Sequence, residues 1–505
     1  MSTSIKVTLN GKIIPAVVGL TLSEITKGEK PCGGHGRCGK CKVIATGVLS
    51  EPSAAELTLL SEDEQAAHVR LACMTRAMGD CEIRTLDTAA QVQIVTDGTL
   101  PAHEAAPSFS GYGVALDIGT TTLAARLYDT AGNLLAEASA LNPQQKWGAD
   151  VISRIEAALG DHAHALADAI RQALNALMTE LADTARIAKQ KIDGVVITGN
   201  SVMLSLLTEE SVEPFSHAPF DARRLFGETL TAAELGLSGL HADAEVYLPP
   251  CISAFVGADT VCALLSTQIC NATQTAMLAD IGTNGEMALW HNGSLTVCST
   301  AAGPAFEGVG ISMGMRGAVG AIDRVALRDG VMQAHTVGEG TPIGICGSGL
   351  VDAVACLLES EVLDETGYLE DDPITVSEPV VLTQQDIRMV QLAKSAICAG
   401  LSTLLQRAGV GVDAVETLSI AGGFGKYLNM KHAGRIGLIP EALTHRFKVV
   451  GNAALTGAAL LLLDRNTRRE AARLAQDAVV RDLASDPVFA DLYMMGMMFE
   501  SDTAL

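Results

Sequence analysis

One short motif occurs twice in this chain, each time in the same surroundings. The run Val-Ala-Leu-Asp-Ile-Gly-Thr-Thr at residues 114–121 is echoed by Met-Leu-Ala-Asp-Ile-Gly-Thr-Asn at residues 277–284. Each copy ends one apolar strand-like run and is followed by a second such run and then a turn, at 129–133 and at 291–293. A single Asp-Ile-Gly-Thr match carries little weight, but the shared flanking pattern favours duplication. The repeat predicts a duplicated α/β body with two facing lobes.

Length, charge and hydropathy narrow the class of protein further. A chain of 505 residues is expected to form several domains, at about 150 residues each. Its net charge of −23 argues against nucleic acid as a partner, because phosphate backbones are bound through Lys and Arg. The most apolar run, residues 453–463, is shorter than the roughly 20 residues that span a membrane. The N-terminus also lacks the apolar core of a signal peptide. We therefore expect a cytoplasmic protein with no membrane association.

The first part of the chain has the pattern of a compact α+β unit, which we place at residues 1–88. Apolar residues alternate over 5–14, and Asn10-Gly11 between them is typical of a type I′ hairpin turn. Further predicted elements are a capping box at 21–24 that begins a short helix, a helix over 57–69 and a closing strand over 81–85.

Four cysteines in this unit have the spacing of iron–sulfur ligands: Cys32, Cys38, Cys41 and Cys73. A [2Fe–2S] cluster needs four thiolates and a tightly folded backbone, which the glycines between Cys32 and Cys41 permit. The first gap is one residue longer than in plant-type ferredoxins, which resembles the adrenodoxin and putidaredoxin branch. A zinc site is the alternative, although such sites usually pair two close dyads. The other eight of the twelve cysteines are interpreted as buried thiols.

The remainder of the chain divides at residues 89–111, which lack periodicity and are predicted to be a linker. Beyond it we place one lobe at 112–270 and a second lobe, with the C-terminal helices, at 271–505. A helical pattern over 149–188 and strand patterns at 195–198 and 417–420 support the α/β assignment.

The repeated motif has the chemistry of a phosphate site. A turn after a buried strand presents backbone N–H groups that glycine allows phosphate oxygens to approach. Asp117 and Asp280 end their strands and are predicted to hold Mg²⁺ or to orient an attacking water. Glu286 is a further predicted catalytic residue, and Glu307 a weaker candidate for positioning water. The predicted phosphate-binding residues are Gly119, Thr120, Thr121 and Thr122 in the first copy and Gly282, Thr283 and Asn284 in the second.

These motifs resemble phosphate-1 and phosphate-2 of the acetate and sugar kinase/Hsp70/actin (ASKHA) superfamily. Residues 420–425, Ile-Ala-Gly-Gly-Phe-Gly, resemble its adenosine motif, and 198–204 and 451–457 resemble its two connecting motifs. The resemblance implies an actin/Hsp70-like body that binds ATP and Mg²⁺ between its lobes. It adds Asn200, Gly422 and Gly423 to the cofactor-binding residues.

A [2Fe–2S] unit followed by such a body resembles the reductive activators of corrinoid proteins, over nearly the whole chain. Residues 142–154, 299–308 and 344–352 also look like signatures of that family, and the last adds Gly347 and Ser348 to the cofactor site. The resemblance implies a ferredoxin-like (β-grasp) N-terminal domain. It also implies ATP-dependent reduction of a protein-bound corrinoid from Co(II) to Co(I). Its implied partners are a corrinoid protein of a methyl-transfer system and an upstream low-potential electron donor, and a homodimer is left open.

Three alternatives remain open on the sequence alone. The chain could activate another metalloenzyme, such as a radical dehydratase. It could be a small-molecule kinase that carries a redox sensor. It could also be a non-enzymatic electron-transfer or binding protein for which the nucleotide is only a conformational switch.

Overall fold

The computed structural model describes most of the chain: residues 4–26, 28, 34–36, 39, 41–85 and 96–499. Cys32 and Cys38, two of the predicted cluster ligands, lie outside the described residues. So do residues 86–95, which include part of the predicted linker.

The N-terminal unit is a mixed five-stranded sheet in the order β2-β1-β5-β3-β4. The predicted hairpin is confirmed, since β1 and β2 pair antiparallel around a turn with positive φ at Asn10 and Gly11. Val7, Leu22 and Ile83 are fully buried beneath the sheet. The elements are β1 (Ser4–Leu9), β2 (Lys12–Val17), α1 (Leu22–Thr26), β3 (Lys42–Leu49), α2 (Ala54–Thr58), α3 (Glu62–Ala66), β4 (Val69–Leu71) and β5 (Ala77–Thr85).

Two local predictions in this unit have different outcomes. The capping box before α1 is confirmed, because the Thr21 N–H donates to the Glu24 carboxylate and the Glu24 N–H to the Thr21 hydroxyl. The single helix over 57–69 is wrong: two short helices, α2 and α3, replace it. Ser61 forms a second reciprocal cap with Glu64, which starts a new helix where the prediction continued the old one.

The first lobe is built on a six-stranded sheet in the order β10-β11-β9-β6-β7-β8. Strands β6, β7 and β8 form an antiparallel meander, and β9 returns parallel to β6. The elements are β6 (Tyr112–Ile118), β7 (Thr122–Asp129), β8 (Leu134–Leu141), α4 (Val151–Ala157), α5 (Ala163–Ala185), β9 (Ile192–Gly199), α6 (Ser201–Thr208), β10 (Glu228–Thr231), β11 (Glu245–Leu248) and α7 (Ala258–Thr267).

The second lobe repeats this plan in a sheet of order β21-β20-β12-β13-β14-β22. Its meander is β12-β13-β14, and β20 returns parallel to β12. The elements are β12 (Thr275–Ile281), β13 (Gly285–His291), β14 (Ser294–Thr300), β15 (Ala321–Arg328), β16 (Val331–Thr336), β17 (Gly344–Ile345), α8 (Gly347–Glu359), β18 (Ile374–Ser377), β19 (Val380–Leu382), α9 (Gln384–Ala408), β20 (Val415–Ala421), α10 (Met430–Arg435), β21 (Phe447–Gly451), α11 (Ala453–Leu463), α12 (Thr467–Asp477), β22 (Val479–Val480) and α13 (Pro487–Met495).

The two sheets confirm the duplication that the repeated motif predicted. Each copy of Asp-Ile-Gly-Thr closes the tight turn between the first two strands of a meander. Gly119 N–H donates to the Thr122 carbonyl in the first turn, and Gly282 N–H donates to the Asn284 carbonyl in the second. The motif thus occupies equivalent positions in both lobes.

Helix α11 is the run that the sequence marked as most apolar, and all of its residues are buried. It packs against α7 and against strands β6 and β9 of the first lobe, although it lies in the second-lobe part of the sequence. No helix in the described part of the chain combines the length and apolar character needed to cross a bilayer. The apolar character of α11 matches its burial against α7, β6 and β9.

The crossing of α11 and α7 depends on Gly457, where a Cβ would lie 2.0 Å from the Cys262 carbonyl oxygen. We expect Gly457→Ala to lower the free energy of unfolding by about 1–3 kcal/mol, the usual cost of overpacking. Thermal unfolding measures this. Gly411→Ala is the matched control, because a Cβ there meets no atom within 4 Å. Equal melting temperatures for the two variants would contradict the packing described.

Candidate active site between the lobes

A cavity of about 330 Å³ lies between the two lobes and is lined by loops from both sheets. Ligands of α/β folds bind at the carboxyl ends of strands, and β6, β12 and β20 all end here. The structure brings every residue predicted for the nucleotide site into this lining, while their roles as ligands stay predictions. These residues are Asp117, Gly119, Thr120, Thr121, Thr122, Asn200, Asp280, Gly282, Thr283, Asn284, Glu286, Glu307, Gly347, Ser348, Gly422 and Gly423.

Four carboxyl groups on the cavity lining are near enough for their charges to act on one another: Asp117, Asp259, Asp280 and Glu286. Burial, together with the charges of Asp259 and Asp280, raises the pKa of Asp117 to about 7 despite a hydrogen bond from Asn452. Burial and the charge of Asp259 likewise raise the pKa of Asp280 to about 7. The pKa of Glu286 is raised well above its ordinary value by burial and by the same neighbouring charges. A divalent cation bound in the cavity would relieve the mutual repulsion of these carboxylates.

Two arginines supply positive charge near the cavity, Arg316 on its lining and Arg154 buried behind Thr120. Arg154 is completely buried, and its guanidinium donates to the carbonyls of Thr120 and Gly148. Burial lowers the pKa of Arg154 to about 10, so the group stays charged at neutral pH. Arg316 lines the cavity and donates to Oε1 of Gln145 at 2.7 Å. Within the described residues neither arginine forms a salt bridge, which leaves a positive field for an anionic ligand.

Two asparagines that cap helices bond side chains of the first Asp-Ile-Gly-Thr motif. Asn200 caps α6 and donates from Nδ2 to the Thr120 hydroxyl at 3.2 Å. Asn452 caps α11 and donates from Nδ2 to Oδ2 of Asp117 at 3.0 Å. The side chains of Thr120 and Asp117 are therefore held by residues at helix N-termini.

The predicted adenosine motif forms a wall with little side-chain bulk. At Gly422 the backbone has φ +91°, and a Cβ would lie 2.7 Å from Oδ1 of Asp280. Phe306 and Phe424 stack beside it with ring centroids 4.9 Å apart. A flat group such as a nucleobase fits a glycine-lined wall that carries aromatic rings.

Several lining residues were not among the predicted site residues. Asp259 lies at the start of α7 and reaches the cavity only through the tertiary fold, so no local pattern marks it. Asn452 does carry a signal, since it belongs to the second connecting motif. Arg316 was likewise missed, and so was Arg154 behind the lining, because each contacts a segment distant in sequence.

The second candidate centre is the set of four predicted cluster cysteines in the N-terminal unit, of which the structure describes Cys41 and Cys73. Their Sγ atoms lie 3.2 Å apart, and the Cys73 N–H donates to Sγ of Cys41 at 3.4 Å. Two thiolates on one tetrahedral metal ion with bonds of about 2.3 Å lie about 3.8 Å apart, so this pair is already close to that arrangement. Among the residues that the structure describes, no three His, Cys, Asp or Glu side chains are arranged to hold one metal ion, and this covers the cavity carboxyl groups as well as the cysteines.

Comparison with known protein families assigns the body of the chain. The model of the RACo middle region matches residues 112–272, and the model of the C-terminal domain of RACo, the ASKHA domain, matches residues 274–504. The chain belongs to the RACo family. These two matches confirm the resemblance inferred from the motifs and establish the ASKHA-type fold of the second lobe.

Individual relatives agree with this RACo assignment. The corrinoid activation enzyme RamQ of Eubacterium limosum is 35% identical over 77% of this chain and 70% of its own length. The [Co(II) methylated amine-specific corrinoid protein] reductase of Methanosarcina barkeri is 23% identical over 77% of each chain. Among solved structures, a reductive activator for corrinoid, iron–sulfur protein is similar with a TM-score of 0.70 and 27% identity, over 98% of both chains.

Proposed function

We propose that this protein uses MgATP bound between its lobes to transfer an electron from an N-terminal [2Fe–2S] cluster to a corrinoid protein. The corrinoid substrate is reduced from Co(II) to Co(I). The observation that carries the proposal is the convergence of both Asp-Ile-Gly-Thr loops on one cavity, in a chain that belongs to the RACo family. Relatives named as a corrinoid activation enzyme and a Co(II) corrinoid protein reductase support the choice of substrate.

The cavity suggests how its residues share the binding of nucleotide. The side chains of Asp117, Asp280 and Glu286 would hold Mg²⁺ and an attacking water in the part of the cavity that carboxyl groups line. The two loops would bind phosphates through Thr120, Thr121, Thr122, Thr283 and Asn284, in the field of Arg154 and Arg316. Gly422 and Gly423 would admit the adenosine. When bound, MgATP supplies the free energy for an uphill one-electron reduction. For such a step, a change of ~59 mV in the potential difference changes the equilibrium constant tenfold.

The N-terminal unit is assigned as the ferredoxin-like domain, residues 1–88, with Cys32, Cys38, Cys41 and Cys73 as cluster ligands. The Cys41–Cys73 geometry and the small mixed sheet support this assignment. The cysteine loop folds tightly where it is described: Gly34, Gly36 and Gly39 all have positive φ. Gly36 has φ +68°, a backbone conformation that favours glycine, and a Cβ there would also lie 2.8 Å from Sδ of Met74.

One helix of the first lobe contacts both centres. His35, in the cysteine loop, lies 3.2 Å through Nε2 from Oε2 of Glu156 on α4. Arg154, two residues earlier on α4, holds the Thr120 carbonyl of the phosphate loop. Helix α4 thus contacts both the cysteine loop and a loop of the nucleotide site, which suits electron transfer under nucleotide control.

The proposal includes partners that no contact in the structure identifies. They are a corrinoid protein of a methyl-transfer system and a low-potential donor that reduces the cluster. A cytoplasmic location and a homodimer belong to the same set of proposals.

Steady-state hydrolysis of MgATP tests the proposal against its alternatives. We expect the purified anaerobic protein to bind MgATP and to hydrolyse it faster when a Co(II) corrinoid protein is present. Formation of a phosphorylated metabolite would instead indicate a small-molecule kinase. Binding without hydrolysis under any of these conditions would indicate a nucleotide-switched binding protein.

A further inference from the structure

The carboxylate of Glu307 joins the two repeated loops across the cavity. The Thr121 hydroxyl of the first loop donates to Oε2 at 2.5 Å, and the Thr283 hydroxyl of the second loop donates to Oε1. One side chain therefore bonds a threonine of each repeated loop at the same time.

The backbone around Glu307 belongs to the second lobe and is closely packed. Glu307 ends a 3₁₀ turn, Pro304–Glu307, that begins after Gly303, whose N–H donates to the Thr283 carbonyl at 2.9 Å. At Gly308, directly after the turn, a Cβ would lie 2.6 Å from the Met315 nitrogen. The carboxylate thus extends from a fixed turn of the second lobe to Thr121 of the first.

A threonine hydroxyl has one hydrogen to donate. Thr121 and Thr283 consequently cannot donate to Glu307 and to phosphate oxygens at the same time. Carboxylate and phosphate oxygens are similar anionic acceptors, and hydrogen bonds to either are of the stronger, charge-assisted kind. Glu307 and a bound nucleotide compete for the same two donors.

We infer that Glu307 is an interlobe latch: it bridges Thr121 and Thr283 in the nucleotide-free protein and must be displaced by the phosphates of the incoming nucleotide. The inference rests on the proposed nucleotide site and adds its regulation. The charge of Glu307 also acts on Arg154, so its displacement leaves that arginine's field to the phosphates. Release of the bridge frees the two lobes to rearrange around the nucleotide.

The latch lowers the apparent affinity of the protein for nucleotide, because only the fraction without the Glu307 bridge is competent to bind it. We expect Glu307→Ala to bind MgATP and a non-hydrolysable analogue at least about tenfold more tightly than the wild type. Glu307→Gln keeps an acceptor oxygen but loses the charge, so its affinity should lie between the two. Isothermal titration calorimetry of the full-length anaerobic protein gives the dissociation constants. Glu416→Ala, at an exposed position of β20, is the matched control and should bind as the wild type does.

Hydrogen exchange of the nucleotide-free proteins provides a second readout. Peptides that contain residues 119–122 and 282–285 should exchange faster in Glu307→Ala than in the wild type or the control, because the bridge between the loops is gone. A residue that only positions water would leave both affinity and exchange unchanged while slowing hydrolysis.

The outcomes separate the latch from the nucleotide site itself. Unchanged or weaker MgATP binding by a normally folded Glu307→Ala protein overturns the latch, as does unchanged loop exchange. If Glu307→Ala does not fold, Glu307→Gln decides by the same criterion. Absence of MgATP binding by the wild type overturns the proposed function instead.

Discussion

Asp280→Asn is expected to stabilise the nucleotide-free protein and to abolish MgATP hydrolysis. The carboxyl group is buried in the cavity lining near Asp259, and its pKa is raised from 3.8 to about 7. Ionising it in the folded state is therefore costly without a cation. An amide of the same shape removes this cost, which is on the order of 4 kcal/mol when the pKa rises from 3.8 to about 7. The same change removes a predicted Mg²⁺ ligand.

The stabilisation should depend on pH in a defined direction. Because the folded-state pKa of Asp280 is raised, the folded protein binds this proton more tightly than the unfolded chain does. The contribution of Asp280 to wild-type stability therefore falls as pH rises from about 4 to 7, and this loss is complete above 7. The advantage of Asp280→Asn should be largest at pH 8 and small near pH 4. Melting temperatures across this range, without nucleotide, measure it.

Asp243→Asn makes the same chemical change at a side chain that is 93% exposed, and should alter neither melting nor hydrolysis. A lower melting temperature for Asp280→Asn at pH 8 would contradict the electrostatic account of the cavity. Wild-type hydrolysis rates in the variant would remove Asp280 from the catalytic residues.

Cys41→Ser is expected to eliminate electron transfer and to leave nucleotide binding intact. Cys41 lies 3.2 Å from Cys73 through their Sγ atoms, so its loss removes one of two adjacent predicted ligands. Serine is a poor substitute for a thiolate, which iron–sulfur clusters require. The visible absorption of the cluster and the rate of corrinoid reduction should both fall to background. The dissociation constant of MgATP should not change.

The matched control is Cys81→Ala in strand β5 of the same sheet. Cys81 is buried, and burial raises the pKa of its thiol, which marks it as a packing residue. Its variant should retain full cluster absorption and full electron transfer. A normal cluster in Cys41→Ser, or equal loss in both variants, would show that the cysteine assignment is wrong.

The sequence predicted the parts of the fold that depend on local pattern. The Asn10-Gly11 hairpin turn and the two Asp-Ile-Gly-Thr turns follow from residue types that are typical of such turns and uncommon elsewhere. The repeat also predicted that two distant loops would face one cavity, because duplicated lobes place equivalent loops at equivalent strand ends. All of the nucleotide-site residues singled out in this way line that cavity.

The sequence could not predict features that arise only when distant segments meet. Asp259 joins Asp117 and Asp280 through packing of α7, and Arg154 reaches Thr120 from a separate helix. The Glu307 bridge likewise requires both lobes in place. The division of 57–69 into two helices was a local feature and was missed, although Ser61 and Glu64 carry the capping signal.

Formation of Co(I) tests the central claim most directly. The anaerobic protein, a strong reductant, and a Co(II) corrinoid protein from the same organism are mixed with or without MgATP, and the visible spectrum of the corrinoid is followed. The account predicts that Co(I) absorption appears with MgATP and stays at background without it, and that a non-hydrolysable analogue does not sustain repeated turnover. Reduction at the same rate in the absence of nucleotide, or no Co(I) with any such corrinoid protein, would contradict it.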